Sequence, residues 1–455
     1  MVVLKFGGTS VEDARAIERV CEIVRSRGAQ DSKTPRVVVV SALAGVTDQL
    51  VKMGALAERG DVAAATQLCR QWAVRHLRVA RALLPRKAAS RLAGELLIRF
   101  AQLESVVDGI AAIRELSPRT TDRLLAFGEL ASSAIVTAAL SARGIKAELV
   151  DARDVIVTDQ NHTRALPDFN VTGARLQARV GPLAKSGTVV VLGGFVGATP
   201  AGATTTLGRG GSDFSATIIG AALGAERIEI WTDVDGIMTA DPKLCAEART
   251  ILDITFEEAA ELAHFGAKVI HPWSMVPARE RDIPVHVLNS RNAGGPFTII
   301  RNRRPDAGFK GIAVKRGVTV VEIAAERTLS AGGFLKTVFD ALDRHDFAPD
   351  VVATTDRSVS VSTVHKAAIP AFTAELEPLA RVRHENSKAI VSLVGQNDDR
   401  RLAHVYSALS DLPVRLSAQG ASRLTLSFVL DEKDVASAVK KLHRAVFEKS
   451  AEAVA

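Results

Sequence analysis

Residues 204–213 read TTTLGRGGSD and place threonines and glycines around a single arginine, Arg209. We call this segment the arginine loop. Backbone N–H groups of a glycine-rich loop that opens a helix, here at about Ser212, can hold a phosphate. Arg209 can bind a carboxylate through two parallel hydrogen bonds, and Asp213 can accept from an ammonium group. A flexible loop capped by Ser212 would explain the glycines but not the charged residues beside them.

Short apolar segments alternate with helical patterns on both sides of the arginine loop. A chain of 455 residues has room for two or three domains. Fully apolar strands that alternate with helices indicate an α/β fold whose mainly parallel sheet is covered by helices on both faces. The predicted strands cover residues 2–6, 37–40, 147–150, 188–192, 227–232 and 285–289, and helices cover much of 50–116, 212–223 and 256–265.

A second glycine segment follows the first predicted strand. Residues 5–10 read KFGGTS, and we call them the lysine loop. Gly7 and Gly8 let backbone N–H groups approach a phosphate, and Lys5 adds a positive charge. A tight turn with a surface lysine explains this segment equally well on its own. Ser10 is predicted to cap the next helix with Asp13 three residues on, and Gly28 to end that helix.

Two further polar segments follow strands, at the edge where open α/β sheets bind ligands. Ser41 and Thr47 offer hydroxyl groups, although Thr47 also suits a helix N-cap. Residues 231–243 carry Thr232 and Asp233 among several acidic turn residues. This segment could bind a ribose, an adenine or Mg²⁺-linked phosphates, and an ordinary acidic turn explains it as well.

The pattern changes after about residue 292. Turn-rich residues 293–311 contain four basic side chains, and two β-α-β-β-α-β patterns follow them. This pattern is typical of ferredoxin-like modules. We therefore predict a first domain over 1–295 and a separate C-terminal region over 296–455. Its two modules are predicted at about 319–385 and 386–455.

Composition excludes several classes of protein. The net charge of +7 would suit a nucleic-acid partner, but aromatic residues are only 4% and tyrosine occurs once, so bases have few stacking surfaces. No run approaches the ~18 apolar residues of a membrane helix, and no signal peptide is evident. Cys21, Cys69 and Cys245 form no paired motif. We expect a cytoplasmic protein that binds neither nucleic acid nor membrane.

Several familiar motifs are absent from the sequence. It contains no GxGxxG, no GxxxxGK[ST] and no protein-kinase HRD or DFG element. No cysteine and histidine cluster has metal-ligand spacing, so no protein metal site is predicted. His264 and His271 are expected to serve as capping or core residues.

The ordered motifs together resemble the aspartate kinases of the amino-acid kinase family over nearly the whole chain. The matching segments are KFGGTS at 5–10, GEL at 128–130, TTTLGRGGSD at 204–213, WTDVDGIMTADP at 231–242 and FGAKVIHP at 265–272. The resemblance implies an amino-acid kinase fold followed by two ACT modules. It also implies transfer of the ATP γ-phosphoryl group to L-aspartate, giving ADP and 4-phospho-L-aspartate. That reaction opens the pathway to lysine, threonine, methionine and isoleucine.

The same resemblance implies roles for individual residues. Lys5 neutralises the transferring phosphoryl group with help from Gly8, and Asp213 completes the catalytic set. Aspartate is bound by Ser41, Thr47, Glu129, Arg209 and Asp213, with Arg209 on the α-carboxylate. The residues expected to contact ATP, whose Mg²⁺ is held mainly by the phosphates, are Lys5, Gly7, Gly8, Ser10, Thr232, Asp233, Met238, Lys243 and Lys268. Met238 stands where some members of that family carry an aromatic residue, and Lys243 stands where some carry arginine.

The C-terminal region resembles paired ACT domains, which sense small amino acids, so the resemblance implies a catalytic domain over 1–295 and a regulatory region over 296–455. In such enzymes the first module is inserted within the second, which implies that residues near 308–318 complete the second module. The implied effector site comprises Thr328, Gly333, Phe334, Leu335 and Asp350. Its effector is an end-product amino acid, with lysine favoured over threonine. Because ACT domains pair between chains, a homodimer or larger homo-oligomer is expected.

Two other functions remain open on the sequence. The chain could phosphorylate another carboxylate, such as that of N-acetylglutamate or glutamate, or it could be a non-catalytic amino-acid sensor. Glu129, Arg209 and the ACT region argue against the first, and the retained Lys5, Arg209 and Asp213 argue against the second. A fused homoserine dehydrogenase is not expected, because no dinucleotide fingerprint occurs.

Overall fold

The computed structural model describes residues 1–30, 34–267, 269–303, 308–326, 331–396, 399–420 and 423–448. The chain forms two compact units. The first contains Met1–Ile237 and Ile270–Asn302, and the second contains Met238–Val269 and Arg303–Ala455. No feature of the sequence predicted that residues 238–269 belong with the C-terminal region. The predicted boundary at residue 295 remains a prediction.

The described residues contain strands and helices, numbered here in chain order. The strands are β1 (Val2–Phe6), β2 (Arg36–Val40), β3 (Ala147–Leu149), β4 (Val189–Gly193), β5 (Val196–Ala198), β6 (Thr204–Thr206), β7 (Arg227–Thr232), β8 (Asp253–Ile254), β9 (Val285–Asn289), β10 (Thr298–Ile300), β11 (Gly308–Ala325), β12 (Val351–Thr354), β13 (Ser358–Thr363), β14 (Ala380–Gln396), β15 (Leu416–Gln419) and β16 (Thr425–Asp431). The helices are α1 (Ala14–Gln30), α2 (Val46–Glu58), α3 (Val62–Leu83), α4 (Arg86–Ile113), α5 (Pro118–Ala142), α6 (Ala152–Val155), α7 (Phe169–Lys185), α8 (Gly211–Leu223), α9 (Phe256–His264), α10 (Val276–Glu280), α11 (Ala331–Arg344), α12 (Ile369–Leu376), α13 (Asp399–Ala408) and α14 (Val435–His443).

The sheet of the first unit has the order β3-β4-β2-β1-β7-β9-β10. Every neighbouring pair from β3 to β9 is parallel, and β10 is antiparallel to β9. All five residues of β1 are buried, as expected for a central strand with helices on both faces. The predicted α/β class with a mainly parallel sheet is confirmed.

Helix α5 is the central helix of the first unit. It is long and apolar enough to cross a bilayer, yet 78% of its apolar stretch is buried inside the protein. Such burial is what a core helix requires. Ser117 caps its first turn by accepting a hydrogen bond from the N–H of Thr120. The helix therefore holds any side chain on its buried face at a fixed position.

In the second unit, one sheet runs through both regulatory modules, in the order β12-β13-β11-β14-β16-β15. The long antiparallel strands β11 and β14 cross both modules and have bulges near Lys315–Val318. One half of each strand packs with α11 and α12 around Phe334 and Phe372, and the other with α13 and α14 around Phe428. Residues 308–318 pair with the second half of β14 in this sheet.

Candidate active site

The polar segments of the first unit meet at one edge of its sheet. The parallel register aligns Phe6 with Val40 and Trp231, and Val40 with Gly193, so these strands end side by side. Hydrogen bonds then join the loops: the N–H of Gly7 donates to the carbonyl of Trp231 at 2.9 Å, and that of Ser41 to the carbonyl of Phe6 at 3.1 Å. The edge matches the ligand-binding edge of open α/β sheets.

Lys5 and Asp213 form an ion pair at this edge. Lys5 Nζ lies 2.5 Å from Asp213 Oδ1, and their side chains are only 10% and 13% exposed. The lysine is the next-to-last residue of the central strand β1, and the aspartate lies in the first turn of α8. The pair fixes a cation at a helix N-terminus, and both features favour a phosphoryl group.

The lysine loop has a different local structure from the one predicted. A short 3₁₀ helix spans Gly8–Val11, and α1 starts only at Ala14. Asp13, not Ser10, caps it, because Asp13 Oδ1 accepts from the N–H of Ala16 at 2.8 Å. The helix also continues past Gly28 to Gln30, so its predicted end was wrong.

The backbone donors of the lysine loop are not equivalent. The N–H of Gly7 is already bonded to Trp231, whereas Gly8 opens the 3₁₀ helix and its N–H forms no hydrogen bond within the described residues. The Ser10 hydroxyl is buried and donates to Ser290 Oγ at 2.8 Å. Gly8 is therefore the better placed phosphate donor, and Ser10 anchors the loop.

The arginine loop leaves its guanidinium available. Arg209 is exposed, and within the described residues it forms no ion pair or hydrogen bond. Helix α8 begins at Gly211, with Gly210 rather than Ser212 as its N-cap. Gly210 has φ +73°, and a Cβ there would lie 2.6 Å from the Cβ of His271. Only glycine suits this turn, which presents Arg209 beside the start of α8.

Glu129 is a buried carboxyl group on α5. Its residue is 3% exposed, and within the described part of the chain its Oε2 has no hydrogen-bond partner. Gly128 allows the helix to approach the loop after β2, because a Cβ there would lie 2.7 Å from the Cβ of Ala42. Burial raises the pKa of Glu129 to about 8, although a backbone hydrogen bond from Ala42 and the charge of Lys5 oppose the shift. Such a group is ready to accept a cation.

Ser41 and Thr47 lie in the loop and helix that follow β2. The carbonyl of Ser41 accepts from Ser132 Oγ on α5 at 2.8 Å, which ties this loop to the helix that carries Glu129. Thr47 is not the N-cap, since α2 begins at Val46 and Gly45 occupies the cap position. Both side chains are half-buried, so their hydroxyl groups remain open to a ligand.

The predicted nucleotide residues fall in both units. Thr232 Oγ1 donates to Asp233 Oδ1 at 3.2 Å at the end of β7 in the first unit. Met238 and Lys243 belong to the second unit, where Met238 accepts a hydrogen bond from Thr250 and Lys243 is exposed. Lys268 lies outside the described residues.

In the second unit, Asp350 lies beside a lysine and a histidine. Its side chain is 8% exposed, forms an ion pair with Lys315 Nζ and lies 3.9 Å from His264 Nε2. His264 is 53% exposed on the side chain and ends α9, so of the capping and core roles expected for it the core role was wrong. His271 directly precedes a 3₁₀ helix, and its carbonyl accepts from Ser274 Oγ at 2.6 Å.

The other predicted effector residues lie on α11. Gly333, Phe334 and Leu335 follow its first residue, Ala331. Phe334 is buried in the core of its module and Leu335 packs against that core. Only backbone atoms of Phe334 can therefore meet a ligand. Thr328 lies outside the described residues.

Asp122 is a buried charged residue that the sequence analysis did not select. It lies on α5, seven positions before Glu129, and is fully buried. That spacing places both carboxyl groups on one face of the helix, a pattern that could have drawn attention to it. No group of three or more potential metal-ligating side chains occurs in the described residues.

Comparison with known proteins gives a consistent picture. Residues 1–289 match the amino acid kinase family, and residues 391–446 match an ACT domain. Lysine-sensitive aspartokinase 3 of Escherichia coli is 35% identical over 98% of this chain and 99% of its own. Chloroplastic aspartokinase 1 of Arabidopsis thaliana is 35% identical over 98% of this chain and 80% of its own.

Solved structures show the same relationship. E. coli aspartokinase III in complex with aspartate and ADP has a TM-score of 0.81 and 34% identity, and covers 98% of this chain and 100% of its own. The lysine and aspartate complex of the same enzyme has a TM-score of 0.80 and 33% identity, and covers 98% of this chain and 99% of its own.

Fold, site and comparisons together define an ATP-dependent phosphotransferase with a carboxyl group as acceptor, built on the amino-acid kinase fold and followed by ACT domains. Within that class, the chain belongs to the aspartokinase family.

Proposed function

We propose that this enzyme transfers the γ-phosphoryl group of ATP to the side-chain carboxylate of L-aspartate. The observation that supports this proposal most directly is that Glu129 is a buried carboxyl group whose Oε2 has no hydrogen-bond partner in the described residues. An α-amino acid brings an ammonium group that Glu129 can accept and an α-carboxylate that the free fork of Arg209 can bind. The E. coli relative was solved with aspartate and ADP, which supports this substrate.

The reacting carboxylate needs no general base. Its ordinary pKa of about 3.9 leaves it ionised at neutral pH. One carboxylate oxygen forms a bond to the γ-phosphorus while the bond from that phosphorus to the bridging oxygen of ADP breaks. The obstacle is repulsion between two anions, so the residues must supply positive charge and alignment.

Lys5 supplies that charge. Its ammonium is held 2.5 Å from Asp213 and can contact the transferring phosphoryl group without leaving the loop. The N–H of Gly8, the first residue of the 3₁₀ helix, can donate to the same group. Mg²⁺ bound through the ATP phosphates would add further neutralisation.

A hydroxylamine trap tests the proposal. With ATP, Mg²⁺ and L-aspartate, we expect aspartyl hydroxamate to accumulate in proportion to ADP. Parallel reactions contain L-glutamate or N-acetylglutamate as the only acceptor. Hydroxamate from one of those, with none from aspartate, would contradict the proposed substrate. ADP release without hydroxamate from any acceptor would favour the sensor function.

We further infer feedback inhibition through Asp350. The side chain already binds the ammonium of Lys315, which is chemically the same group as the side chain of free lysine. An effector ammonium can replace Lys315 at this carboxylate. The E. coli relative is named lysine-sensitive and was solved with lysine, which supports lysine as effector. Inhibition requires that the effector bind a less active state more tightly than the active one.

The biological setting follows from the reaction. We propose that the product enters the pathway to lysine, threonine, methionine and isoleucine in the cytoplasm. Cys21, Cys69 and Cys245 are free thiols, and this suits a reducing compartment.

We also propose a homodimer or larger homo-oligomer formed through the ACT domains. Sedimentation equilibrium would return a multiple of 48.3 kDa, and a monomer at micromolar concentration would contradict it.

A further inference from the structure

The buried face of α5 carries two carboxyl groups, and the proposed mechanism uses only one. Glu129 keeps an unpaired oxygen for substrate, whereas Asp122 is saturated with donors. Asp122 Oδ2 lies 2.6 Å from His162 Nδ1, and the N–H of Thr163 donates to its two oxygens at 3.0 and 3.1 Å. Thr206 Oγ1 donates to Oδ1 at 2.5 Å. Asp122 therefore joins α5 to residues 162–163 and to β6.

These bonds lead directly to the arginine loop. Thr206 is the last residue of β6, and its carbonyl accepts from the N–H of Ala165 at 3.0 Å. The N–H of Leu207 donates to the carbonyl of Phe195 at 2.9 Å. A Cβ on Gly208 would lie 3.1 Å from the carbonyl oxygen of Thr163. Neighbouring segments thus hold the backbone from Thr206 to Gly208, the residue before Arg209.

The contacts of Asp122 suit a carboxylate. The N–H of Thr163 and the hydroxyl of Thr206 donate to its two oxygens, and His162 Nδ1 lies within hydrogen-bonding distance of Oδ2. Asparagine of the same shape would turn an NH₂ group toward at least one of these donors. The resulting buried mismatch would shift the segment that carries Arg209.

We propose that Asp122 is a positioning residue that fixes Arg209 relative to Glu129 and thereby selects aspartate over longer amino acids. The inference rests on the proposed function, in which Glu129 accepts the substrate ammonium and Arg209 its α-carboxylate. Because Asp122 and Glu129 belong to one helix, the Asp122–Thr206 bond ties the arginine loop to the ammonium partner. Shifting that loop would weaken recognition of the α-amino acid and leave ATP binding unchanged.

Neighbouring threonines of β6 provide a matched pair of variants. Thr206→Val removes the bond to Asp122. Thr205→Val removes an equally buried bond on the same strand, between Thr205 Oγ1 and Thr158 Oγ1 at 2.7 Å. Both replace a buried hydroxyl by a methyl group in a strand where valine is favoured. A purely structural role predicts similar behaviour for the two variants.

We expect Thr206→Val to raise the KM for aspartate roughly tenfold, with kcat and the KM for ATP within about twofold of wild type. The preference for aspartate over glutamate in kcat/KM should fall. Thr206→Ser should restore both values, and Thr205→Val should leave them near wild type. Asp122→Asn should act in the same direction as Thr206→Val and serves as the second variant if that protein does not fold.

Equal effects of Thr206→Val and Thr205→Val, or an equal rise in both substrate KM values, would overturn the inference. So would an unchanged KM for aspartate in Asp122→Asn. Failure of the proposed function can be distinguished from failure of this inference, because the wild-type enzyme would then give no aspartyl hydroxamate. If another carboxylate proves to be the acceptor, the same variants are assayed with it, and the acceptor KM must still change while the ATP KM does not.

Discussion

Two nearly buried carboxyl groups, one in each unit, are in opposite states. Glu129 in the first unit has an unpaired oxygen, and burial raises its pKa to about 8. Asp350 in the second unit is almost equally hidden, but Lys315 already supplies a cation. One carboxyl group lacks an ion-pair partner, whereas the other already has one in Lys315.

This difference has a thermodynamic consequence. A ligand ammonium at Glu129 gains a charge partner and removes the cost of an isolated buried group. A ligand ammonium at Asp350 meets a carboxylate that Lys315 already partly neutralises through Oδ1, although Oδ2 has no hydrogen-bond partner in the described residues, so its net gain is smaller. We therefore expect the substrate interaction to be strong and specific, and the regulatory interaction to be weaker and readily tuned by mutation.

The largest expected effect distinguishes the two Lys–Asp pairs. Lys5→Ala should lower kcat by ~10²-fold or more, because the charge on the transferring phosphoryl group loses its partner, while substrate KM values change less. Lys315→Ala is the matched control, since it breaks the corresponding pair in the second unit. Steady-state kinetics without effector should show kcat near wild type for that control. A near-wild-type kcat in Lys5→Ala would contradict the catalytic assignment.

A second test separates the two substrates at Arg209. Arg209→Lys keeps the positive charge but loses the planar fork, so the KM for aspartate should rise roughly tenfold or more. The KM for ATP should change far less. A rise confined to the ATP KM would show that Arg209 contacts phosphate instead.

Loss of regulation is expected from Asp350→Ala. The variant should keep nearly all of its uninhibited kcat and lose inhibition by the effector, measured as an inhibition curve with lysine and threonine, alone and together. An unchanged curve in Asp350→Ala would refute the effector role. So would a wild-type enzyme that neither amino acid inhibits at millimolar levels.

The smallest expected effect comes from removing the internal cation. Lys315→Met should leave Asp350 without its main partner and make it resemble Glu129. The concentration of lysine needed for half inhibition should then fall by a few-fold, because no ion pair is broken on binding. If inhibition weakens instead, Lys315 supports the effector site rather than competing for it.

The sequence predicted most of the active-site edge, and local physics explains why. The apolar strands β1, β2, β4 and β7 are short and unbroken, and parallel pairing brings their carboxyl ends together. Lys5, Glu129, Arg209 and Asp213 were selected because they accompany glycines or recognisable motifs at those ends. All four lie in the first unit.

The features that sequence missed depend on contacts between distant segments. Asp122 meets Thr206 across 84 positions, and Gly7 donates to the Trp231 carbonyl on a neighbouring strand. Local pattern also misassigned the cap of α1, since both Ser10 and Asp13 are good capping residues and only the buried contact with Ser290 separates them. The first half of β14 is largely polar and partly exposed, so it gives little strand signal.

The direct test of this account is the number of protons released when aspartate binds. Because the pKa of Glu129 is raised to about 8, the free enzyme holds a proton there at pH 7. An ammonium partner favours the ionised form, so binding should release nearly one proton at pH 7, and affinity should increase as pH rises toward about 8.

Titration calorimetry at pH 7 in two buffers of different ionisation enthalpy measures this release, with Glu129→Gln as the control. The account predicts net proton release by wild type and none by the variant. Equal proton counts for the two proteins, or no release by wild type, would contradict the claim that Glu129 is reserved for the ammonium group of the substrate.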